Sequence, residues 1–291
     1  MKCDSCEKSA IFSGPQYCKE HFCEYLEDKV LSTIKNFGLL KKKDKIVVGA
    51  SGGKDSLTIL YMLNKFCYNV TALAIDEGIK NYRDLSLFTL KEFCEKNKIK
   101  LRVVSFKDKF NKSLDEILFK KNERPCTVCG VFRRYLLNLH ARDYDALVTG
   151  HNMDDEAQAI VMNLVKNNIS ALQRAGPKTG ITTSKKFTSR VKPLYFCSEK
   201  EVMSYAFINN LTTNFNECPN VSMSFRLRIR NTLNEIEGSM PGTKKNIIEW
   251  SLNNKGIVVA PKTNLEECCV CGELSSTSVC MACKYSKKIK V

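Results

Sequence analysis

At 291 residues, 43% of them hydrophobic, the chain can bury one sizeable core and carry small appendages. Its 46 basic residues against 31 acidic ones leave a formal net charge of +15, a statement about partners rather than fold. With no acyl-chain motif and no apolar run of membrane length, a bilayer is a poor partner and a nucleic acid the better one; a merely lysine-rich soluble protein is the plain alternative.

Fifteen cysteines would suggest disulfides in a small secreted protein. The start Met1-Lys2-Cys3-Asp4 offers no apolar signal segment, and most cysteines fall in C-x-x-C or C-x-x-H pairs. Metal binding in a reducing cytoplasm is therefore expected. Residues 1–23 carry Cys3-x2-Cys6 and Cys18-x2-His21, four soft ligands suited to tetrahedral zinc. So short a segment cannot fold on apolar burial alone, so the metal would supply its stability. Cys23 is a spare that could substitute as a ligand. A helix is expected over Glu24–Phe37.

Lys45–Ala50 reads as a buried strand and Leu57–Phe66 as an amphipathic helix. Between them lies Ser51-Gly52-Gly53-Lys54-Asp55-Ser56. Strand, glycine turn and helix together make a phosphate-holding architecture. Gly52 and Gly53 allow a tight turn, while Lys54 and the helix N-terminus add positive charge. The G-x-x-x-x-G-K-[ST] spacing of the ordinary P-loop is absent.

Strands are then expected at Asn69–Ile75, Lys100–Phe106 and Asp145–Thr149, and helices at Leu85–Asn97, Leu114–Lys121 and Phe132–Ala141. This alternation predicts an α/β fold with a doubly wound parallel sheet. Ligands of such sheets lie at the carboxyl ends of the strands, here Ala50–Ser56, Ile75–Gly78 and Gly150–Asp155. Gly150-His151-Asn152-Met153-Asp154-Asp155-Glu156 opens a further helix. Its acids either cap that helix or face a nucleotide and its magnesium, and both roles can hold at once. His151 has a packing or capping role as its plain reading.

Residues 168–190 read as a polar basic loop, and Val191–Leu194 as the end of a fifth strand. Ser198-Glu199-Lys200-Glu201 has the pattern of a capping box before a helix to Asn209. Ser222–Glu237 is a basic amphipathic helix with Arg226, Arg228 and Arg230, either a solvated face or a phosphate-contacting one. The tail carries Cys268-x2-Cys271 and Cys280-x2-Cys283, a second zinc set with Cys269 spare. The chain thus divides into an N-terminal finger (1–23), a catalytic domain (24–262) and a C-terminal finger (263–291).

Cys126-x2-Cys129, in Arg124-Pro125-Cys126-Thr127-Val128-Cys129-Gly130, has no second close pair beside it. The other suggestive thiol is Cys218, in Glu217-Cys218-Pro219. Cys67, Cys94 and Cys197 lie in apolar or helical segments and are expected to be buried. Three thiolates suit a [4Fe–4S] cluster with one iron left open; a pair carrying sulfur as persulfide competes with that reading. Spacing does not separate the two.

Ser51–Ser56 resembles the S-G-G-x-D-S loop of the PP-loop ATP pyrophosphatases. Together with Cys126-x2-Cys129-Gly130, the Gly150–Glu156 motif, Glu217-Cys218-Pro219 and the two finger modules, the chain resembles the tRNA 2-thiouridine synthetases of the TtcA/TtuA family, in the branch with archaeal NcsA and the eukaryotic cytosolic thiouridylase. The resemblance covers nearly the whole chain. It implies that Cys126, Cys129 and Cys218 hold the cluster. ATP would lie across Ala50, Ser51, Gly52, Gly53, Lys54, Asp55, Ser56, Ile75, Gly150 and Asp155. It also implies a cytoplasmic homodimer acting on tRNA, with sulfide or a ubiquitin-like thiocarboxylate protein as donor, and uridine 34 favoured over 54. Lys54, Asp55, Asp155 and Arg133 are the candidate catalytic residues. Arg133 and Arg134 stand where some relatives carry lysine, and arginine cannot shuttle a proton. A 2-thiocytidine synthetase, an amidotransferase-type synthetase and a non-catalytic tRNA-binding finger protein are the alternatives.

Overall fold

The computed structural model describes residues 1–119, 124–180, 186–211, 216–255 and 265–289. A hairpin, β1 (Lys2–Cys3) and β2 (Cys6–Ser9), leads into α1 (Lys19–Asn36). Alternation follows: β3 (Lys45–Gly49), α2 (Lys54–Lys65), β4 (Asn69–Asp76), α3 (Arg83–Lys96) and β5 (Lys100–Ser105). Then come α4 (Phe106–Phe110), α5 (Leu114–Phe119), α6 (Pro125–His140), β6 (Ala146–Thr149), α7 (Met153–Val165) and α8 (Ile169–Gln173). The rest comprises β7 (Lys178–Thr179), β8 (Arg190–Val191), α9 (Glu199–Ile208), a 3-10 turn (Pro219–Met223), α10 (Phe225–Ser239) and α11 (Thr243–Asn253). The chain closes on β9 (Glu266–Glu267), β10 (Leu274–Ser275) and α12 (Met281–Ile289).

The central sheet has the order β5-β4-β3-β6-β8-β7, parallel except for the edge pair β8–β7. Successive strand residues serve opposite faces. Ile46, Val48, Ala72, Ala74 and Val148 pack with α1, α2, α3 and α9, whereas Val47, Leu73, Ile75 and Leu147 pack with α4, α5, α6 and α12. Both faces are covered, which is why Ile46, Val47 and Val48 of β3 are all apolar and buried. A third cluster joins α7, α10 and α11 through Ile160, Leu233, Ile248 and Tyr195. The order of strands reverses between β3 and β6, so a crevice opens above their carboxyl ends.

Most expected elements are present, with instructive exceptions. The helix expected from Phe132 begins at Pro125 and carries both cysteines of the C-x-x-C pair. Proline at N1 costs a helix nothing, and burial of Val128 and Phe132 outweighs the poor propensity of Gly130. The helix after the first finger starts at Lys19, so the boundary at residue 23 falls inside α1. The boundary at 262/263 and the end of the helix expected to reach Lys121 lie outside the described residues. The stretch 168–190, read as loop, contains α8 and β7. Cys67, expected to be buried, is exposed: it takes φ +57° just after α2, the left-handed position that closes the helix, and its side chain turns outward. Cys94 and Cys197 are buried. No helix among the described residues is long and apolar enough to cross a membrane.

Candidate active site

The loop after β3 is held by its own serines. Ser51 N donates to Ser56 Oγ (3.1 Å), Gly53 N to Ser51 Oγ (3.3 Å), and Ser56 Oγ to the Gly53 carbonyl (2.9 Å). Gly52 sits at φ +86°, and a Cβ there would lie 2.1 Å from the Ser86 carbonyl oxygen. Gly53 caps α2, whose first-turn amides face the crevice mouth. Lys54, expected to add positive charge, is itself engaged: its Nζ lies 3.1 Å from Asp55 Oδ2 and 3.0 Å from Glu199 Oε1. Ala50 and Ile75 are buried and present little side-chain surface.

The loop after β6 closes on this one. A Cβ at Gly150 would lie 2.8 Å from the Asp55 carbonyl carbon, so only glycine permits the approach. Asn152 and Asp155 form a reciprocal capping box on α7, and Asn152 Nδ2 also donates to Asp55 Oδ1 at 3.1 Å. The two readings of these acids hold together: Asp155 serves in both, and Asp154 also lines the cavity. Asp154 is buried, accepts from Glu199 N (2.8 Å) and pairs with Lys244. Asp155 caps the helix and also lines, with Asp55, Glu199, Val221, Arg226 and Arg230, a cavity of about 140 Å³. Burial raises the carboxyl pKa of both Asp55 and Asp155, opposed by Lys54 and by Arg226 respectively. Asp55, Asp155 and Glu199 line one cavity, but their oxygens do not form a set within 4.8 Å of one another as the terminal quartets do. Arg226 and Arg230 are thus on the cavity wall rather than on a merely solvated face; Arg226 lies 3.3 Å from Asp155 and Arg230 pairs with Glu217.

Cys126 and Cys129 sit in the first turns of α6, and Cys218 caps the 3-10 turn packed beside it. The Cys126 thiol lies 3.7 Å from the Asn220 carbonyl, one residue before Val221 of the cavity wall. Burial pushes the Cys129 thiol up to about 11, against the pull of Arg133, and also raises Cys126. The three sulfurs do not form a set within 4.8 Å of one another, in contrast to the two terminal quartets. A cubane cluster spreads its thiolates farther apart than a single ion does, and three soft donors suit a cluster with an open iron. Arg133, one turn beyond Cys129, is half-exposed and lies 3.8 Å from Glu77. His151 Nδ1 contacts Thr149 Oγ1 at 2.9 Å.

Cys3, Cys6, Cys18 and His21 form one quartet, and Cys268, Cys271, Cys280 and Cys283 the other, each with its ligand atoms within 4.8 Å. Separations such as Cys6–Cys18 (3.8 Å) and Cys271–Cys280 (3.7 Å) match the edges of a tetrahedron with bonds of about 2.3 Å, so both sets fit zinc. Burial alone would raise Cys268, but backbone N–H groups aimed at its sulfur bring it down to about 6, toward the thiolate. Cys23 lies outside its quartet and takes a contact from Asn209 (3.6 Å). Cys269 is exposed.

Glu77 and Arg83 escaped the sequence reading. Both are buried, with Arg83 Nε 3.0 Å from Glu77 Oε2. Arg83 precedes the helix expected from Leu85 and is in fact the first residue of α3, so no local pattern marked it.

A family model described as a PP-loop domain matches residues 23–237. The chain is 36% identical to the tRNA-5-methyluridine(54) 2-sulfurtransferase of Pyrococcus horikoshii, covering 98% of this chain and 93% of that one. It is 31% identical to the tRNA 2-thiolation protein NcsA of Haloferax volcanii, over 100% and 99%. Among solved structures it resembles the U34-tRNA thiolase NcsA from Methanococcus maripaludis with its [4Fe-4S] cluster: TM-score 0.85 and 35% identity, covering 99% of this chain and 96% of that one.

Proposed function

The chain belongs to the PP-loop family, among relatives named as tRNA 2-thiolation proteins and 2-sulfurtransferases, and we propose that it is an ATP-dependent tRNA 2-sulfurtransferase acting on uridine 34. One observation carries this reading: the stretch Cys218–Val221 meets the Cys126 thiol on one side and the Asp55/Asp155 cavity on the other. An activating nucleotide and a sulfur-handling thiol set would thereby share one mouth.

The C2 oxygen of uridine is a poor leaving group. Its attack on the α-phosphorus of ATP forms an O2–P bond, breaks the bond to the β-phosphate oxygen and releases pyrophosphate. Lys54 and the first-turn amides of α2 take up the charge that builds on pyrophosphate. The polyanion draws Lys54 from its partners Asp55 and Glu199. Those carboxylates, with Asp155, would hold magnesium, which supplies Lewis-acid charge to the phosphates. Sulfide then bonds to C2 and AMP departs with the old oxygen. Cys126, Cys129 and Cys218 would hold the [4Fe–4S] cluster, which when bound offers one iron free of protein thiolate as a seat for sulfide. The terminal quartets would hold zinc, which fixes the finger folds.

Anaerobic reconstitution with iron and sulfide, then thiolation of unmodified tRNA with and without ATP and mass mapping of the nucleosides, tests the proposal. The expected product is 2-thiouridine at position 34, formed only with ATP and only by the reconstituted protein. Thiolation by an iron-free preparation would replace the cluster reading with the persulfide route, and product at position 54 would reassign the substrate.

A further inference from the structure

Two neighbouring arginines have no carboxylate partner among the described residues. Arg134 lies on α6 and Arg190 on β8, where Arg190 Nη2 is 3.4 Å from the Arg134 carbonyl oxygen. Arg190 pairs with Leu147 in the sheet and so shares the face that packs on α6. Its guanidinium also lies over the Phe187 ring, 5.8 Å from the centroid. Arg83, Arg142, Arg226 and Arg230 each have a carboxylate within 4.0 Å. Among the described residues, neither Arg134 nor Arg190 has one, and Arg190 Nε is buried without a hydrogen-bond partner. Burial and the neighbouring Arg134 bring Arg190 down to about 10. Arg134 is exposed and Arg190 half-buried, and like charges held side by side repel one another unless an anion joins them.

The place fits a substrate phosphate. A Cβ at Gly130 would lie 3.3 Å from Arg134 Nη1, so the guanidinium rests against the residue that follows Cys129. On the other side, His151 follows Gly150 of the nucleotide crevice. Crowding by protein, together with Lys192, Arg226, Arg133 and Arg190, pulls the His151 pKa down to about 3. Lys192 is offset by Glu156, Arg226 by Asp155 and Arg133 by Glu77. Arg134 and Arg190, with no carboxylate partner among the described residues, add positive charge beside the residue that follows Cys129.

We propose that Arg134 and Arg190 form a phosphodiester site that grips the tRNA backbone next to the nucleotide being modified. The inference rests on tRNA being the substrate. A phosphate contact of this kind sets register without reading sequence. The phosphates of ATP have the same chemistry, but their partners, Lys54 and the α2 amides, belong to the loop on α2.

The test is tRNA affinity by fluorescence anisotropy across a salt series for wild type, Arg134→Gln, Arg190→Gln and the double variant, with ATP affinity by calorimetry. The double variant should bind tRNA roughly 10-fold or more weakly. Its slope of log K against log salt should be shallower by about one for each phosphate no longer held, with ATP affinity unchanged. The Arg134→Lys/Arg190→Lys pair keeps the charge and should keep the slope, which a merely structural role would not require. An unchanged affinity and slope in the double variant would overturn the site, and loss of ATP affinity with tRNA binding intact would assign the pair to the nucleotide instead. Failure of the wild type to bind tRNA at all would count against the functional reading itself.

Discussion

Arg83 Nη1 donates to the carbonyl oxygen of Ser51 at 2.6 Å, tying α3 to the first residue of the phosphate loop. The same guanidinium pairs with Glu77, which faces Arg133 of α6. One buried ion pair thus spans the nucleotide loop and the helix that carries Cys126 and Cys129. Its members touch neither proposed substrate; they position groups that would.

Replacing Arg83 by Met should raise the KM for ATP by about 10-fold and destabilise the fold by about 3 kcal/mol, because Glu77 is left buried and unpaired. Adding Glu77→Leu removes the stranded charge. The double variant should recover most of the stability in urea unfolding but none of the ATP affinity, since the Ser51 carbonyl still lacks its donor. Recovery of both would mean that the pair acts on stability alone.

Lys54→Ala should lower kcat/KM for ATP about 100-fold, the scale seen when one charge-stabilising group is removed from a reacting phosphate or oxyanion. It should leave iron–sulfur absorbance as in wild type, because Lys54 contacts Asp55 and Glu199 rather than the thiols. Single-turnover adenylation and a visible spectrum read the two effects separately. Joint loss would contradict the division of labour between loop and cysteines.

The sheet and its loops were legible because they follow from period and punctuation: apolar β3, a glycine pair, then an amphipathic helix can be read residue by residue. The two cysteine-rich quartets were legible from spacing, which Cys-x2-Cys and Cys-x2-His fix locally. Pairings over long range were not. Lys244 reaches Asp154 across 90 residues, and Glu201 reaches Lys29 across 172. Such contacts are set by how α11 and α9 dock, and no local pattern encodes that. The start of α6 was missed because proline and glycine read as loop signals where tertiary burial decides.

The C-terminal finger is clamped to the catalytic body: Glu273 pairs with Arg142, and Tyr285 packs edge-on to Phe132 of α6 at 6.4 Å between centroids. Cys271→Ala should halve the bound zinc measured by mass spectrometry of the metal. Because the finger backs α6, it should also lower the melting temperature and thiolation activity, whereas Cys269→Ala, at an exposed spare thiol, should change neither. Zinc content unchanged in Cys271→Ala would remove that residue from the ligand set.

Glu201 offers a test by pH. It is buried, accepts from Lys29 at 2.8 and 3.0 Å and from Tyr25 at 2.8 Å, and caps α9 with Ser198. Burial raises its carboxyl, but the Lys29 charge and these bonds outweigh that and hold the pKa below its ordinary value. A depressed carboxyl contributes stability that is fully present above the unfolded-chain value, about 4.3, and is lost as pH falls through the lower folded value. Glu201→Gln should therefore cost about 2 kcal/mol in urea unfolding at neutral pH. The gap from wild type should narrow steadily below about pH 4. Protonation of the terminal quartets in acid affects both proteins alike, so the difference isolates this carboxylate. A gap that stays constant into acid would show that the Glu201 contribution is packing rather than charge.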